Sequence, residues 1–292
     1  MPASTTTVNT EENVVVLTPK IVRVEALMDK LCCAEGESDS ATIDAVRHHF
    51  RSGGKRIRAK LALHAAERLA LEPEDAVAVA ACCELLHNAS LIHDDLQDRD
   101  DERRGYPTVW RAFGDDVALL AGDLLLSGAY RAVAEIHSSW HIRPILRVLH
   151  RRIAVTILSQ AEDREAFSPE HSDLSAYRKI AAGKSGPLLS LPIEMSLLLA
   201  GLDRFAGTAQ AAAEAFAIGY QIVDDLEDVD RDDPSRAAKN GMNAIWVLRS
   251  QGAVVNAERQ AAIYADEALA QAIKSADALP HHSGLLLATN AR

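Results

Sequence analysis

The chain has 292 residues, 48% of them hydrophobic and 25% charged, which is enough apolar surface for a sizeable core and excludes wholesale disorder. Its 42 acidic against 31 basic residues give a net charge of -11, which opposes an electrostatic hold on nucleic-acid phosphates or anionic lipid, so no nucleic-acid partner is expected. Fifty alanines against 15 glycines and 10 prolines, with aromatics at 4%, make an all-α fold the expectation.

Residues 1–17 read as a flexible start, polar and rich in threonine, without the basic and apolar regions of a signal peptide. Residues 18–292 read as a single domain. Helical periodicity begins with Ile21, Val24, Leu27, Met28 and Leu31, and no strand pattern competes with it downstream. Breaks fall at Gly53-Gly54, Pro73, Gly105-Tyr106-Pro107, Ser168-Pro169, Gly201 and Asp233-Pro234, leaving long helices with short connections. The most apolar segment, Ala76 to His93, is interrupted by Glu84 and carries His87 and Asn88, so no membrane span is expected. The cysteines form two adjacent pairs, Cys32-Cys33 and Cys82-Cys83, without zinc-ligand spacing; they read as buried hydrophobes of a reducing compartment, and the cytoplasm is the expected location.

Two acidic clusters carry the chemistry. Asp94 to Glu102 reads DDLQDRDDE and Asp224 to Asp233 reads DDLEDVDRDD, each opening with D-D-x-x-D. On a helix the first and last aspartates of that motif lie one turn apart on one face, where like charges repel. A divalent cation such as Mg²⁺, held by one or two carboxylates and completed by substrate phosphates, relieves the repulsion. Each cluster follows an apolar run, which sets it at the end of a buried helix beside a cavity wall. Basic residues sit nearby: Lys55 and Arg58 beside a glycine turn, Arg103 and Arg104 directly after the first cluster, Lys184 at Lys184-Ser185-Gly186, and Lys239.

These residues resemble the trans-isoprenyl diphosphate synthase (polyprenyl synthetase) family from about Gly53 to Asp228. The motifs concerned are Gly54-Lys-Arg-Ile-Arg58, His87, Asp94-Asp-Leu-Gln-Asp98 with Arg103-Arg104-Gly105, Gly122-Asp123, Gln160-Ala-Glu-Asp163, Lys184-Ser185 and Gly219-Tyr-Gln-Ile-Val-Asp-Asp-Leu-Glu-Asp228. The resemblance implies a class I isoprenoid synthase helical bundle around a deep central cavity, a homodimer, and condensation of isopentenyl diphosphate with an allylic diphosphate. It implies three Mg²⁺ ions on Asp94, Asp98, Asp224 and Asp228, with Asp95, Asp225, Arg103, Lys184 and Gln221 in the catalytic set. Lys55, Arg58, His87 and Arg104 would hold the isopentenyl diphosphate, with Ser185 and Lys239 in further substrate contacts. Ala89 and Ser90, about one turn below Asp94, are small where bulky aromatics stop elongation early, which implies a product beyond farnesyl, geranylgeranyl diphosphate. Trp246 and His93 read as supporting residues.

Ala59, Ser185 and Tyr220 stand where proline, threonine and phenylalanine are usual in the family, and after Asp228 a single lysine, Lys239, replaces the usual two. Two other readings stay open: a terpene cyclase or lyase that ionises a similar substrate, and a non-catalytic subunit of a partner synthase. The second Asp motif and the Lys55/Arg58/His87 group argue against the first, and possession of both Asp motifs argues against the second.

Overall fold

The computed structural model describes residues 10–33, 40–165, 173–227, 242–253 and 255–291. In chain order the elements are α1 (Thr10–Cys33), α2 (Ala41–Arg51), α3 (Ile57–Arg68), α4 (Pro73–Asp98), β1 (Glu102–Arg103), β2 (Tyr106–Pro107), α5 (Val109–Phe113), α6 (Asp115–Val133), α7 (Ser139–Glu165), α8 (Leu174–Leu199), α9 (Ala206–Glu227), α10 (Ala244–Ser250), α11 (Ala257–Asp277) and α12 (Leu285–Asn290). The all-α expectation holds. Helix α1 begins at Thr10, within the N-terminal stretch 1–17. The breaks expected at Gly53-Gly54, Pro73, Gly105-Tyr106-Pro107 and Gly201 all separate elements, whereas Ser168-Pro169 and Asp233-Pro234 lie outside the described residues.

One departure is a two-residue hairpin. Glu102 pairs with Pro107 and Arg103 with Tyr106 across a turn in which Arg104 (φ 54°) and Gly105 (φ 80°) are both left-handed, as a two-residue hairpin turn requires. A ladder this short has no periodicity to detect.

The core is built around α4. Pro73 occupies the first turn, where its missing N–H is not needed, and Ala76 through Leu86 are buried without interruption. By length and hydropathy α4 alone among the described helices could cross a membrane, yet 78% of that apolar window is buried inside the protein, so it is a core helix. Small residues set the spacing elsewhere. Ala257, Ala261, Ala265, Ala268, Ala272 and Ala276 form one buried stripe along α11 against α9, and a Cβ on Gly219 of α9 would come within 2.7 Å of Leu269.

Helix α8 packs against α4, α7 and α9, and so links the two helices that end in acidic motifs. It is fastened by a buried ion pair. Arg152 of α7 donates from Nε and Nη2 to both oxygens of Glu194 at 2.8 and 2.7 Å, and Nη2 also reaches Gln210 of α9 at 2.9 Å. The two side chains are 5% and 2% exposed, so removal of one partner strands the other charge away from water. Glu194→Ala is therefore expected to destabilise the fold by about 3–5 kcal/mol. Chemical denaturation measures it, and a loss under about 1 kcal/mol would mean that the network is not what fastens α8.

Candidate active site

Asp94, Asp95 and Asp98 occupy the last two turns of α4, and their carboxylates part ways. Asp94 is half-buried and Asp98 exposed. Burial, reinforced by the charges of Asp98 and Asp95, pushes the Asp94 carboxyl up to about 6 against the opposing pull of Lys184 and Arg103. Asp95 turns inward, 1% exposed, where Arg103 grips it: Nε lies 2.8 and 3.0 Å from its two oxygens and Nη2 2.5 Å from Oδ1. Burial works against the Arg103 charge, but these bonds and the Asp95 charge raise its pKa on balance. The hairpin that carries Arg103 is thereby tied to the end of α4.

The second motif repeats the division. Asp224 is half-buried at the end of α9, while Asp225 is buried and accepts three hydrogen bonds, from Tyr177 Oη (2.7 Å), Gln221 Nε2 (3.0 Å) and the Ala244 backbone N–H (2.7 Å). The Asp95 and Asp225 carboxylates both accept hydrogen bonds from within the protein, and these bonds hold the turns that present Asp94 and Asp224. Asp228 and Lys239 lie outside the described residues.

Lys184 links the two halves. It donates to Asp163 Oδ2 at 2.5 Å, and its charge acts on Asp94; Asp163 Oδ1 also accepts the Met242 N–H at 3.2 Å. The approach of α8 to α7 at this point depends on Gly183, where a Cβ would fall 2.0 Å from Ser159 Oγ. Asp163 and Tyr177 are site residues that the sequence reading did not select. Asp163 had a signal in Gln160-Ala-Glu-Asp163; Tyr177 had none, since one buried tyrosine in an apolar helix looks like core.

Lys55, Arg58, Ser185 and Gln221 line a cavity of about 400 Å³ between α3, α8, α9 and α12, with Phe216 and Leu189 on its apolar side. Beside it Arg104 Nη1 donates to the Gly53 carbonyl. Gly54 is required there twice over: its φ is 144°, and a Cβ would lie 2.7 Å from Arg104 Nη1. Two imidazoles that favour the neutral form border the cationic corner. Burial, then the charge of Arg58 and Arg104, holds His87 well below its ordinary pKa; burial lowers His49 to about 4, with Arg103, Arg104 and Arg56 adding to the effect. Arg58 Nε is buried without a hydrogen-bond partner. The corner is short of negative charge, which suits an anionic ligand.

Below Asp94 a smaller cavity of about 80 Å³ is lined by Leu86, Ala89, Ser90 and His93 of α4 with Leu126, Ile153, Ile157 and Leu188 among the facing residues. Its wall is apolar apart from His93, Thr156 and the hydroxyl of Ser90, which donates back to the His87 carbonyl at 2.8 Å. Such a slot suits a hydrocarbon chain.

Among the described residues no three His, Cys, Asp or Glu side chains converge into a ready-made metal cage. Asp94, Asp98 and Asp224 supply hard oxygen donors in ones and twos. That donor set fits a cation that takes the rest of its ligands from phosphate and water.

The polyprenyl synthetase family model matches residues 40–245, and the chain belongs to that family. It is 40% identical over 174 residues to the (2E,6E)-farnesyl diphosphate synthase of Mycobacterium tuberculosis (strain H37Rv), covering 59% of this chain and 48% of that protein. It is 33% identical over 194 residues to the short chain isoprenyl diphosphate synthase of Methanocaldococcus jannaschii, covering 66% of this chain and 59% of the other. The chain thus spans about half to three fifths of the length of these relatives. Among solved structures, geranylgeranyl pyrophosphate synthetase from Pyrococcus horikoshii Ot3 superimposes with a TM-score of 0.82 over 96% of this chain and 97% of its own at 24% identity, which shows the shared fold.

The raised Asp94 pKa has a consequence for stability. An unfolded aspartate releases its proton near the ordinary 3.8, whereas the folded chain holds it to about 6. The native state binds the extra proton between those values, so stability falls as pH rises through that window and stays lowered above it, by roughly 1–3 kcal/mol. Asp94→Asn removes the penalty. Thermal melting is expected to show a higher Tm for the variant at pH 7.5 and no gain at pH 4; an equal gain at both values would trace it to packing rather than charge.

Proposed function

We propose that the chain is a trans-prenyl diphosphate synthase, which condenses isopentenyl diphosphate with an allylic diphosphate (dimethylallyl, geranyl or farnesyl) and releases diphosphate. What supports the reading is two groups of charged side chains, each of which we assign to one diphosphate: Lys55, Arg58, His87 and Arg104 in one, and Asp94, Asp98, Lys184 and Arg103, together with Asp224 of the second motif, in the other. One substrate with one diphosphate needs only the second. The pair therefore favours condensation over a cyclase or lyase, and the presence of both aspartate motifs disfavours a non-catalytic subunit.

In this reading Asp94, Asp98, Asp224 and Asp228 would hold three Mg²⁺ ions, whose charge would offset that developing on the departing diphosphate. Arg103 keeps Nη1 for a diphosphate oxygen while Nε and Nη2 hold Asp95. Lys184, bonded to Asp163, is already directed at the Asp94 side, and Lys239 is assigned to the same diphosphate. Lys55, Arg58, His87 and Arg104 orient isopentenyl diphosphate so that its double bond faces the allylic carbon. Ser185 and Gln221, which line the same cavity as Lys55 and Arg58, are assigned to the first carbons of the allylic chain. The slot past Ala89 and Ser90 takes the growing hydrocarbon and keeps water from the allylic cation. Small side chains there favour geranylgeranyl diphosphate as the product. Exposed large apolar residues, Leu119 and Leu120 on α6 and Ile157 and Leu158 on α7, favour a homodimer.

Purified protein with Mg²⁺, labelled isopentenyl diphosphate and each allylic primer is expected to give elongated products on chromatography. Diphosphate or hydrocarbon released from the allylic substrate alone would support the lyase instead. Asp94→Ala and Asp224→Ala are each expected to lower turnover on the order of 100-fold or more with an unchanged circular-dichroism spectrum; near-normal rates would overturn the site.

Ser90→Phe is expected to shorten the product. An unchanged distribution would place the floor of the slot on another helix.

A further inference from the structure

The helix that carries Arg58 starts without a local cap. Its first flanking residue, Arg56, is left-handed (φ 51°, ψ 42°), and no side-chain hydrogen bond caps the turn from the preceding loop. The first intrahelical donor is the Lys60 N–H, to the Arg56 carbonyl at 2.9 Å, so the N–H groups before it need partners from elsewhere. The Ala59 N–H finds one across the interface with α4, donating to Glu84 Oε1 at 3.0 Å.

Glu84 is 1% exposed, between Cys83 and Leu85 in the most apolar part of the core helix. A carboxylate there is unfavourable unless its partners offset the loss of water, and any apolar residue of that volume would pack more simply. What it provides is a fixed joint between two helices. Arg58 stands one residue before Ala59 on α3, and His87 three residues after Glu84 on α4. On the same stretch of α4 the Glu84 carbonyl accepts from Asn88 Nδ2 at 2.6 Å, and Asn88 Oδ1 pairs with His49 Nε2 at 3.0 Å, so the joint extends to α2. Glu84 is also the carboxylate whose charge counters the effect of burial on the Arg58 guanidinium.

We propose that Glu84 is a positioning residue for the cationic corner: by accepting the Ala59 N–H it sets the separation of Arg58 and His87, which sit on different helices and must reach one diphosphate together. The inference rests on the reading above for the identity of that ligand as isopentenyl diphosphate, and on geometry for the rest.

Three variants separate position from charge. Glu84→Gln keeps an oxygen for the Ala59 N–H and loses the charge, Glu84→Ala loses both, and Glu84→Asp keeps the charge but withdraws the carboxylate by one methylene. The probe is inorganic diphosphate, titrated calorimetrically in the absence of divalent metal so that the cationic corner is the site read. The expected result is affinity within about twofold of wild type for Glu84→Gln and a loss of about 10-fold or more for Glu84→Ala. In the elongation assay KM for isopentenyl diphosphate should rise in parallel, with KM for the allylic substrate nearly unchanged. If Glu84→Ala fails to fold, Glu84→Asp serves in its place and is expected to bind diphosphate less well than Glu84→Gln. Wild-type affinity in the truncated or shortened variant, or equal losses in Gln and Ala, or parallel changes in both KM values, would overturn the proposal. A wild-type protein that binds diphosphate but elongates nothing would overturn the proposed reaction and leave the titration to decide on Glu84.

Discussion

Everything at the open end of this bundle depends on how a helix can finish in two adjacent aspartates and remain buried. In α4 and again in α9 the solution is to turn one carboxylate of each adjacent pair inward and satisfy it completely. Asp95 takes three contacts from one guanidinium, and Asp225 takes donors from α8, α9 and the start of α10. Inward carboxylates with full hydrogen bonding are tolerable in a low dielectric, and once fixed they fix the outward ones. Asp94 and Asp224 therefore stand at defined positions with their charge only half solvated. The raised pKa of Asp94 is the energetic mark of that arrangement: the fold holds the carboxylate where water stabilises it poorly.

The same logic places cations inside an acidic protein. A net charge of -11 sets the far field, but locally individual acids hold three of the basic positions: Asp163 for Lys184, Asp95 for Arg103, and Glu84 for the turn that bears Arg58, while Arg104 donates to the Gly53 carbonyl. Each such contact restricts the freedom of the side chain or turn it holds. Backbone geometry does the rest at Gly54, whose missing Cβ leaves room for the Arg104 guanidinium.

Much of this was legible in the sequence, because it is written in patterns that physics constrains locally. Helical periodicity, the alanine excess and breaks at Pro73 and Gly201 gave the architecture; D-D-x-x-D on helical spacing located the acidic end. The small residues Ala89 and Ser90 do line a slot below Asp94, since a helical offset of four or five residues is a distance of one turn. The parts that did not show are those made by long-range contacts. That Asp95 and Asp225 face inward is set by Arg103, Tyr177 and Ala244, none of which spacing within a motif can identify.

Ala59 shows how a departure from pattern becomes informative once neighbours are known. Taken alone, alanine for proline in a first helical turn is a small change, since proline is tolerated there. In the folded chain the alanine has an N–H that proline lacks, and a buried glutamate receives it. The Ala59 N–H and the buried Glu84 carboxylate are two halves of one contact. Arg56, left-handed and unable to cap its own helix, is the third part: the turn is capped from the neighbouring helix instead of from its own loop, which couples the position of α3 to that of α4. A cap supplied in this way moves with the helix that carries His87, and a loop cap would not.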